Sequence, residues 1–187
     1  MLEDALKWNQ KHLEHPMPET PSTLLVEFMP TLLSLQGRKA LDIACGNGRN
    51  SKFLAENGFF VDSVDISNVA LSFFSHLPNI NAYQEDLDLY RPKSEAYDVV
   101  LNFYFLNRDL FPSILQSLKP KGNFLLETFI KEPNGENSSN IIDEKILNDG
   151  ELESIFQGFE ILLNQTSYIT RREGQEAKII SFVAQKK

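Results

Sequence analysis

LDIACGNGRN, residues 41–50, is a short apolar run that breaks on two glycines and restarts as a helical pattern. Lys39–Ala44 (KALDIA) is a short, mostly apolar run that suits a buried strand. Gly46 and Gly48 interrupt it. Arg49–Asn57 resumes at helical spacing, with Phe53 and Leu54 turned inward and Gly58 placed to end the helix. A strand that passes through glycines into a helix opens a βα unit, and the chain then repeats the unit. Phe59–Ile66 is a second strand, and Ser67 caps a helix running to about Leu77. Ile80–Gln84 and Tyr97–Phe103 are the third and fourth strands. Leu110–Leu118 is a helix closed by Pro120 and Gly122, and Asn123–Ile130 is the fifth strand. Strands alternating with helices pair in parallel, with helices on both faces.

Upstream, residues 2–14 space Leu2, Leu6, Trp8 and Leu13 among polar residues, as in an amphipathic helix. HPMPETPS, residues 15–22, must be extended or turned because of its prolines. Thr23–Leu35 is a second helix, kinked or restarted at Pro30. Downstream, residues 131–150 are polar and acidic and read as a mobile loop, followed by a short helix at 151–156. Glu160–Ile169 and Ala177–Ala184, joined by an RREGQ turn, form an antiparallel hairpin. The expected class is therefore α/β: a Rossmann-like three-layer sandwich on a seven-stranded, mostly parallel sheet. Its last strand is antiparallel and inserted beside strand five. No repeat or linker divides the chain, so residues 1–187 read as a single domain, with 1–36 an N-terminal helical cap and 37–187 the core.

Composition narrows the function. The chain carries 18 Lys plus Arg against 26 Asp plus Glu, a net charge of −8, which disfavours bulk binding to a phosphate backbone. No apolar run approaches the roughly 20 residues that span a bilayer. The opening MLEDALKWNQ lacks the apolar stretch of a signal peptide. A single cysteine, Cys45, fits a reducing compartment. These features predict a cytoplasmic protein without a membrane partner.

The glycine turn lets backbone approach a ligand with no Cβ in the way, and the helix behind it offers free N–H groups. Asp65 ends the second strand, 17 residues past Gly48, where a carboxylate accepts from a ribose diol. Glu85–Asp86–Leu87 follow the third strand, where a carboxylate accepts from a purine amine and an apolar side chain packs on the ring. Together these acids outline a nucleoside site. A dinucleotide fingerprint wants a third glycine, and here Ser51 stands instead. Asp42, at the strand end, would repel a pyrophosphate but suits an ammonium and a sulfonium. That chemistry points to S-adenosylmethionine, and leaves a nicotinamide oxidoreductase as the weaker reading.

The sequence resembles class I S-adenosylmethionine-dependent methyltransferases, and is similar to the small tellurite-resistance protein B-like and thiopurine methyltransferase-related group. CGNGRNSKFLAENG (45–58), VDSVDIS (61–67), YDVVLNF (97–103), LKPKGNFLLETF (118–129) and DGELESIF (149–156) carry the resemblance. It implies that Asp42, Ala44, Gly46 and Gly48 surround the methionine portion of the cofactor. Asp65 would hold the ribose with Ile66 against the adenine, Asp86 and Leu87 would meet the adenine amine and ring, and Asn102 would line the site. Ala44 stands where many relatives have a glycine. The chain also departs from a pattern of histidine with arginine near the final hairpin: its last histidine is His76, and only Arg171 and Arg172 remain there, beside Tyr168.

The implied reaction is in-line methyl transfer to a small-molecule acceptor. The alternative is a non-catalytic S-adenosylmethionine-binding regulatory module. No residue is singled out as catalytic. Glu127, a carboxylate inside LLETF, is either a structural residue or an acceptor contact. Arg108–Asp109 is either a surface pair or faces the acceptor, and Trp8 either packs or closes over the cofactor. Cys45 reads as a packed thiol, and His12, His15 and His76 show no metal spacing. Residues 131–150 are either a lid over the acceptor pocket or a plain surface connection.

Overall fold

A computed structural model describes residues 2–15, 17–137, 141–171 and 174–187. Two helices, α1 (Leu2–Glu14) and α2 (Thr23–Leu33), precede the first strand. The expected alternation follows: β1 (Lys39–Ile43), α3 (Arg49–Glu56), β2 (Phe60–Asp65), α4 (Asn68–Ser72), β3 (Ile80–Gln84), β4 (Tyr97–Phe103), α5 (Phe111–Ser117), β5 (Leu118–Phe129) and α6 (Glu151–Ile155). The chain ends in the hairpin β6 (Phe159–Thr170) and β7 (Glu176–Lys186). Arg172 and Glu173 of its turn lie outside the described residues.

The seven strands form one sheet in the order β3-β2-β1-β4-β5-β7-β6. The first five pair in parallel, and β7 runs antiparallel between β5 and β6. The two faces are covered by different helices, giving three layers. Leu110, Phe111 and Ile114 of the α5 region, with Leu152 and Phe156, pack on Leu41, Ile43, Val100, Phe124 and Leu126. On the other face, Leu24, Leu25, Met29 and Leu32 of α2 and Leu54 of α3 pack on Ala40, Val61, Val99, Leu101 and Leu125. Neighbouring strand residues divide between the faces because side chains alternate along a strand.

Four elements differ from the sequence reading. α2 runs on through Pro30 rather than restarting there. α4 stops at Ser72, five residues before Leu77, although Ser67 caps it as expected, its hydroxyl accepting from Ala70 N at 3.1 Å. β5 begins at Leu118, upstream of Pro120 and Gly122: Leu118 pairs with Tyr97, the next pair is Val99 with Asn123, and residues 119–122 bulge out of the β4 ladder between them. The fourth difference is α1, whose apolar residues face outward. Leu2, Leu6 and Leu13 are exposed, while Ala5 and His12 are buried. α1 lies against α4 through Asn9, whose Oδ1 accepts from Ser67 Oγ at 2.7 Å and Val69 N at 3.3 Å. A polar seam, not an apolar one, fixes its rotation.

Residues 141–150 are not the loose loop their composition suggests. Ile146 and Leu147 are buried, and Leu147 bridges Ile130. Arg108 fastens the segment from the far side. Its Nε and Nη2 donate to both oxygens of Glu151, at 2.6 and 2.9 Å, and its Nη1 and Nη2 reach the carbonyls of Glu144 and Ile146 at 2.8 Å. Arg108 is thus a staple rather than an acceptor contact. Residues 138–140 lie outside the described residues. Among the described residues, no helix is long and apolar enough to cross a membrane.

Candidate active site

The sequence-predicted residues converge on the carboxyl edge of the sheet, where β1, β2, β3 and β4 end side by side. Ala44 leaves β1 with φ +53°, a left-handed backbone that costs an L-residue roughly 1–2 kcal/mol. Gly46 and Gly48 continue the turn at φ +54° and +71°. A Cβ at Gly48 would lie 2.6 Å from the Phe74 ring, and one at Gly46 would lie 2.8 Å from Met17 Sδ. The buried Phe74 ring demands glycine at Gly48 by close approach as well as by φ, whereas at Gly46 the flexible Met17 can move and φ is the stronger demand.

Asp65 ties this turn to β2. Its Oδ2 accepts from Gly46 N at 2.8 Å and its Oδ1 from Ser67 N at 2.9 Å. The carboxylate is 7% exposed, and each oxygen keeps a further lone pair for a ligand hydroxyl. Ile66 follows, its carbonyl accepting from Gln84 Nε2 at 3.1 Å. Asp86 shapes the turn after β3 by accepting from Asp88 N at 3.0 Å. Leu87 is buried in the core against Val64, Leu106 and Leu110, so little of it is left for a ring. Asn102 ends the row on β4, 1% exposed, with an Oδ1 that has no hydrogen-bond partner among the described residues. A buried, unsatisfied carbonyl oxygen is costly, and a ligand donor would relieve it.

Asp42 lies one layer beneath. It is 2% exposed and accepts from Ser51 Oγ at 2.6 Å, and Ser51 in turn accepts from Ser63 Oγ at 2.8 Å. Burial raises the Asp42 carboxyl to about 7, against the Ser51 hydrogen bond, which pulls it down. Ser51 is thus more than the absent third glycine: it fixes the carboxyl that faces the turn from below. Burial, with the charges of Asp42 and Asp65 adding to it, pushes the Cys45 thiol up, so Cys45 is an inert packed side chain.

Two features escaped the sequence reading, and a third, Glu127, gained partners that it could not foresee. Asn47 between the glycines and Asn50 in α3 hold the N-terminal segment. Asn47 Nδ2 reaches the carbonyls of Met17 and Pro18 at 3.4 and 3.1 Å, and Asn50 Oδ1 accepts from Ser22 N at 2.9 Å. His12 of α1 is buried beside the turn, its Cε1 3.6 Å from where a Gly46 Cβ would stand. Burial lowers its pKa, while the Asp65 charge works against that. No motif spacing could have joined His12 to Asp65. Finally, Glu127 on β5 takes hydrogen bonds from Tyr104 Oη at 2.7 Å and Ser181 Oγ at 3.1 Å. Trp8 stands behind His12, their ring centroids 6.1 Å apart, and is half-exposed under the Lys11 ammonium at 4.3 Å.

Known proteins share both the sequence and the fold. The chain is 34% identical over 92 residues to a protein described as a probable S-adenosyl-L-methionine-dependent methyltransferase TehB from Haemophilus influenzae; the match takes in 46% of this chain and 32% of that one. It thus spans about a third of that curated relative. The crystal structure of TehB from Haemophilus influenzae superposes with a TM-score of 0.71 at 20% identity, covering 97% of this chain and 67% of the other. A Burkholderia thailandensis 1,6-didemethyltoxoflavin-N1-methyltransferase, solved with its acceptor and S-adenosylhomocysteine, gives 0.71 at 15% identity over 98% of this chain and 86% of that one. The family described as Tellurite resistance protein TehB matches residues 23–166, most of the sheet and its helices, and the chain belongs to that family.

Proposed function

We propose that this protein is an S-adenosylmethionine-dependent methyltransferase acting on a small-molecule acceptor. One observation carries the reading: in a member of the TehB family, the Asp65 carboxylate is locked by two backbone N–H groups beside the glycine turn, with a lone pair left on each oxygen. A carboxylate so fixed is preorganised for a ribose diol. The unsatisfied Asn102 oxygen and the Asp42 carboxyl, on opposite faces of the β1–β4 pair, add polar groups at this edge that fit a cofactor with an ammonium group. When bound, the cofactor supplies a methyl on a sulfonium, a leaving group already activated by its charge.

The chain's own residues then bind, orient and exclude water. Asp65 holds the ribose, with Ile66 on the adenine side. Asp86 takes the adenine amine, and Leu87 backs the ring from the core. Ala44, Gly46 and Gly48 present backbone to the methionine portion, Asp42 meets its ammonium, and Asn102 lines the β4 side. The segment at Met17 and Pro18, held by Asn47, covers the turn and keeps water off it.

Replacing Asp65 by Asn removes one charge-assisted acceptor while keeping the shape of the side chain. S-adenosylhomocysteine affinity in titration calorimetry should fall at least tenfold, with thermal unfolding confirming an intact fold. Unchanged affinity would defeat the assignment. Release of S-adenosylhomocysteine in the presence of an acceptor separates an enzyme from a module that only binds.

A further inference from the structure

Beyond the predicted site residues, the carboxyl edge continues across β4, β5 and β7. Ile43 of β1 pairs with Asn102 of β4, Phe103 pairs with Glu127 of β5, and Glu127 pairs with Ser181 of β7. At about 4.8 Å per strand, Glu127 lies roughly 10 Å from the end of β1. Asp65 and Glu127 therefore flank the glycine turn on opposite sides. The positive charge of Arg49, the first residue of α3, favours the ionised form of both Asp42 and Tyr104.

The Glu127 carboxylate is held from two directions. Tyr104 Oη donates to Oε1 and Ser181 Oγ donates to Oε2. Tyr104 N–H also donates to the Glu127 carbonyl at 2.7 Å, with Tyr104 at φ +56°. A tyrosine forced into the left-handed region at the mouth of a site is strain of a kind that clusters where ligands are positioned. Burial, reinforced by the Glu127 charge, keeps the Tyr104 phenol protonated and a donor. Tyr104 remains partly exposed, and its ring meets that of Phe129 at 5.5 Å and 60°, forming an aromatic wall beside the carboxylate.

We propose that Glu127 is the acceptor-side carboxylate, fixed by Tyr104 and Ser181, and that the acceptor is a small, planar molecule whose nucleophile carries an N–H or O–H. This rests on the methyltransferase reading. A carboxylate is an acceptor only, so it seats an X–H group, while the Arg171 guanidinium, 5.5 Å from the Phe129 ring centroid, puts a positive charge over the same wall. As the X–C bond forms and sulfur keeps the electron pair of its broken bond to carbon, the X–H proton passes to a Glu127 oxygen and then to water. Tyr104 and Ser181 are positioning residues.

The test uses protein saturated with S-adenosylhomocysteine and ligand-observed NMR with two probe sets: imidazole, catechol and aniline against 1-methylimidazole, 1,2-dimethoxybenzene and N,N-dimethylaniline, which lack the X–H group. Wild type should bind the first set in preference to the second. Glu127→Gln should weaken the first set at least tenfold while leaving S-adenosylhomocysteine affinity within twofold. Tyr104→Phe and Ser181→Ala should each weaken it a few-fold, and Ser181→Thr should restore wild-type binding. If Glu127→Gln fails to fold, Glu127→Asp, which keeps the charge but draws it back, carries the same comparison. A wild type that does not take up S-adenosylhomocysteine overturns the methyltransferase reading and this inference with it. A wild type that takes it up, yet shows no difference from the variant with either probe set or prefers the methylated set, overturns this inference alone.

Discussion

Asp42 shows how a single buried carboxyl ties stability to pH. Its folded-state pKa is raised to about 7 by burial, against an unfolded value near 4. Between those values the folded protein holds a proton that the unfolded chain has lost. The contribution is therefore fully present below pH 4 and drains away as pH rises to 7. At about 1.4 kcal/mol per unit, the loss is of order 2–4 kcal/mol. Asp42→Asn keeps an acceptor for Ser51 Oγ and has nothing to ionise. Urea unfolding of the ligand-free proteins from pH 5 to pH 8 should show the variant gaining on wild type by that amount; parallel pH profiles would mean that the carboxyl is already ionised in the fold. The same residue explains Ser51, which a fingerprint of glycines scores only as a mismatch.

At the scale of elements, Arg108 is the main side-chain anchor of the segment at 141–150, which Lys131 also engages through Asp143 at 3.0 Å. Arg108 engages both Glu151 oxygens and two carbonyls, and Asn148 N and Nδ2 donate to Glu151 Oε2 at 2.9 and 3.1 Å. The pair is partly exposed, 38% at Arg108 and 16% at Glu151, so solvent screens it. Arg108→Ala should cost about 1–3 kcal/mol in urea unfolding, chiefly from the lost charge-assisted hydrogen bonds. Faster hydrogen exchange at the Leu147 amide, which donates to Phe129 O at 3.0 Å, should accompany it. Unaltered exchange there would show that Ile146 and Leu147, by their burial alone, hold the segment. α1 makes the complementary point, since Asn9 and His12 outweigh three leucines in choosing which side of the helix faces in.

For the whole molecule, cofactor binding and folding are one equilibrium. A ligand that binds only the folded chain stabilises it by about 2.7 kcal/mol at a hundred times its dissociation constant. In a chain of this size that is a rise of roughly 5–10 °C in Tm. Differential scanning calorimetry with S-adenosylhomocysteine should show this shift, and Asp65→Asn should reduce it. No shift at saturating ligand would count against a site at the glycine turn. The sheet order sets what such a site can span, because the seven strands place Asp65, the turn, Tyr104 and Glu127 along one continuous edge.

The sequence by itself determined the βα alternation, the final hairpin and the positions of Gly46, Gly48, Asp65 and Asp86 at strand ends. Each of these is a local matter of apolar period, turn residues and the place where a strand stops. The tertiary structure alone decided which groups those ends would meet. Glu127 finds Tyr104 at 23 and Ser181 at 54 residues' separation, and Ser67 finds Asn9 at 58. Ser51 became the partner of Asp42, His12 came to rest by the turn, Arg108 captured Glu151, and Leu147 was buried where composition suggested a free loop. The physical reason is the same in each case. A buried polar group takes whatever donor or acceptor the packed fold brings within reach, and that partner is fixed by strand order and helix docking rather than by any local pattern.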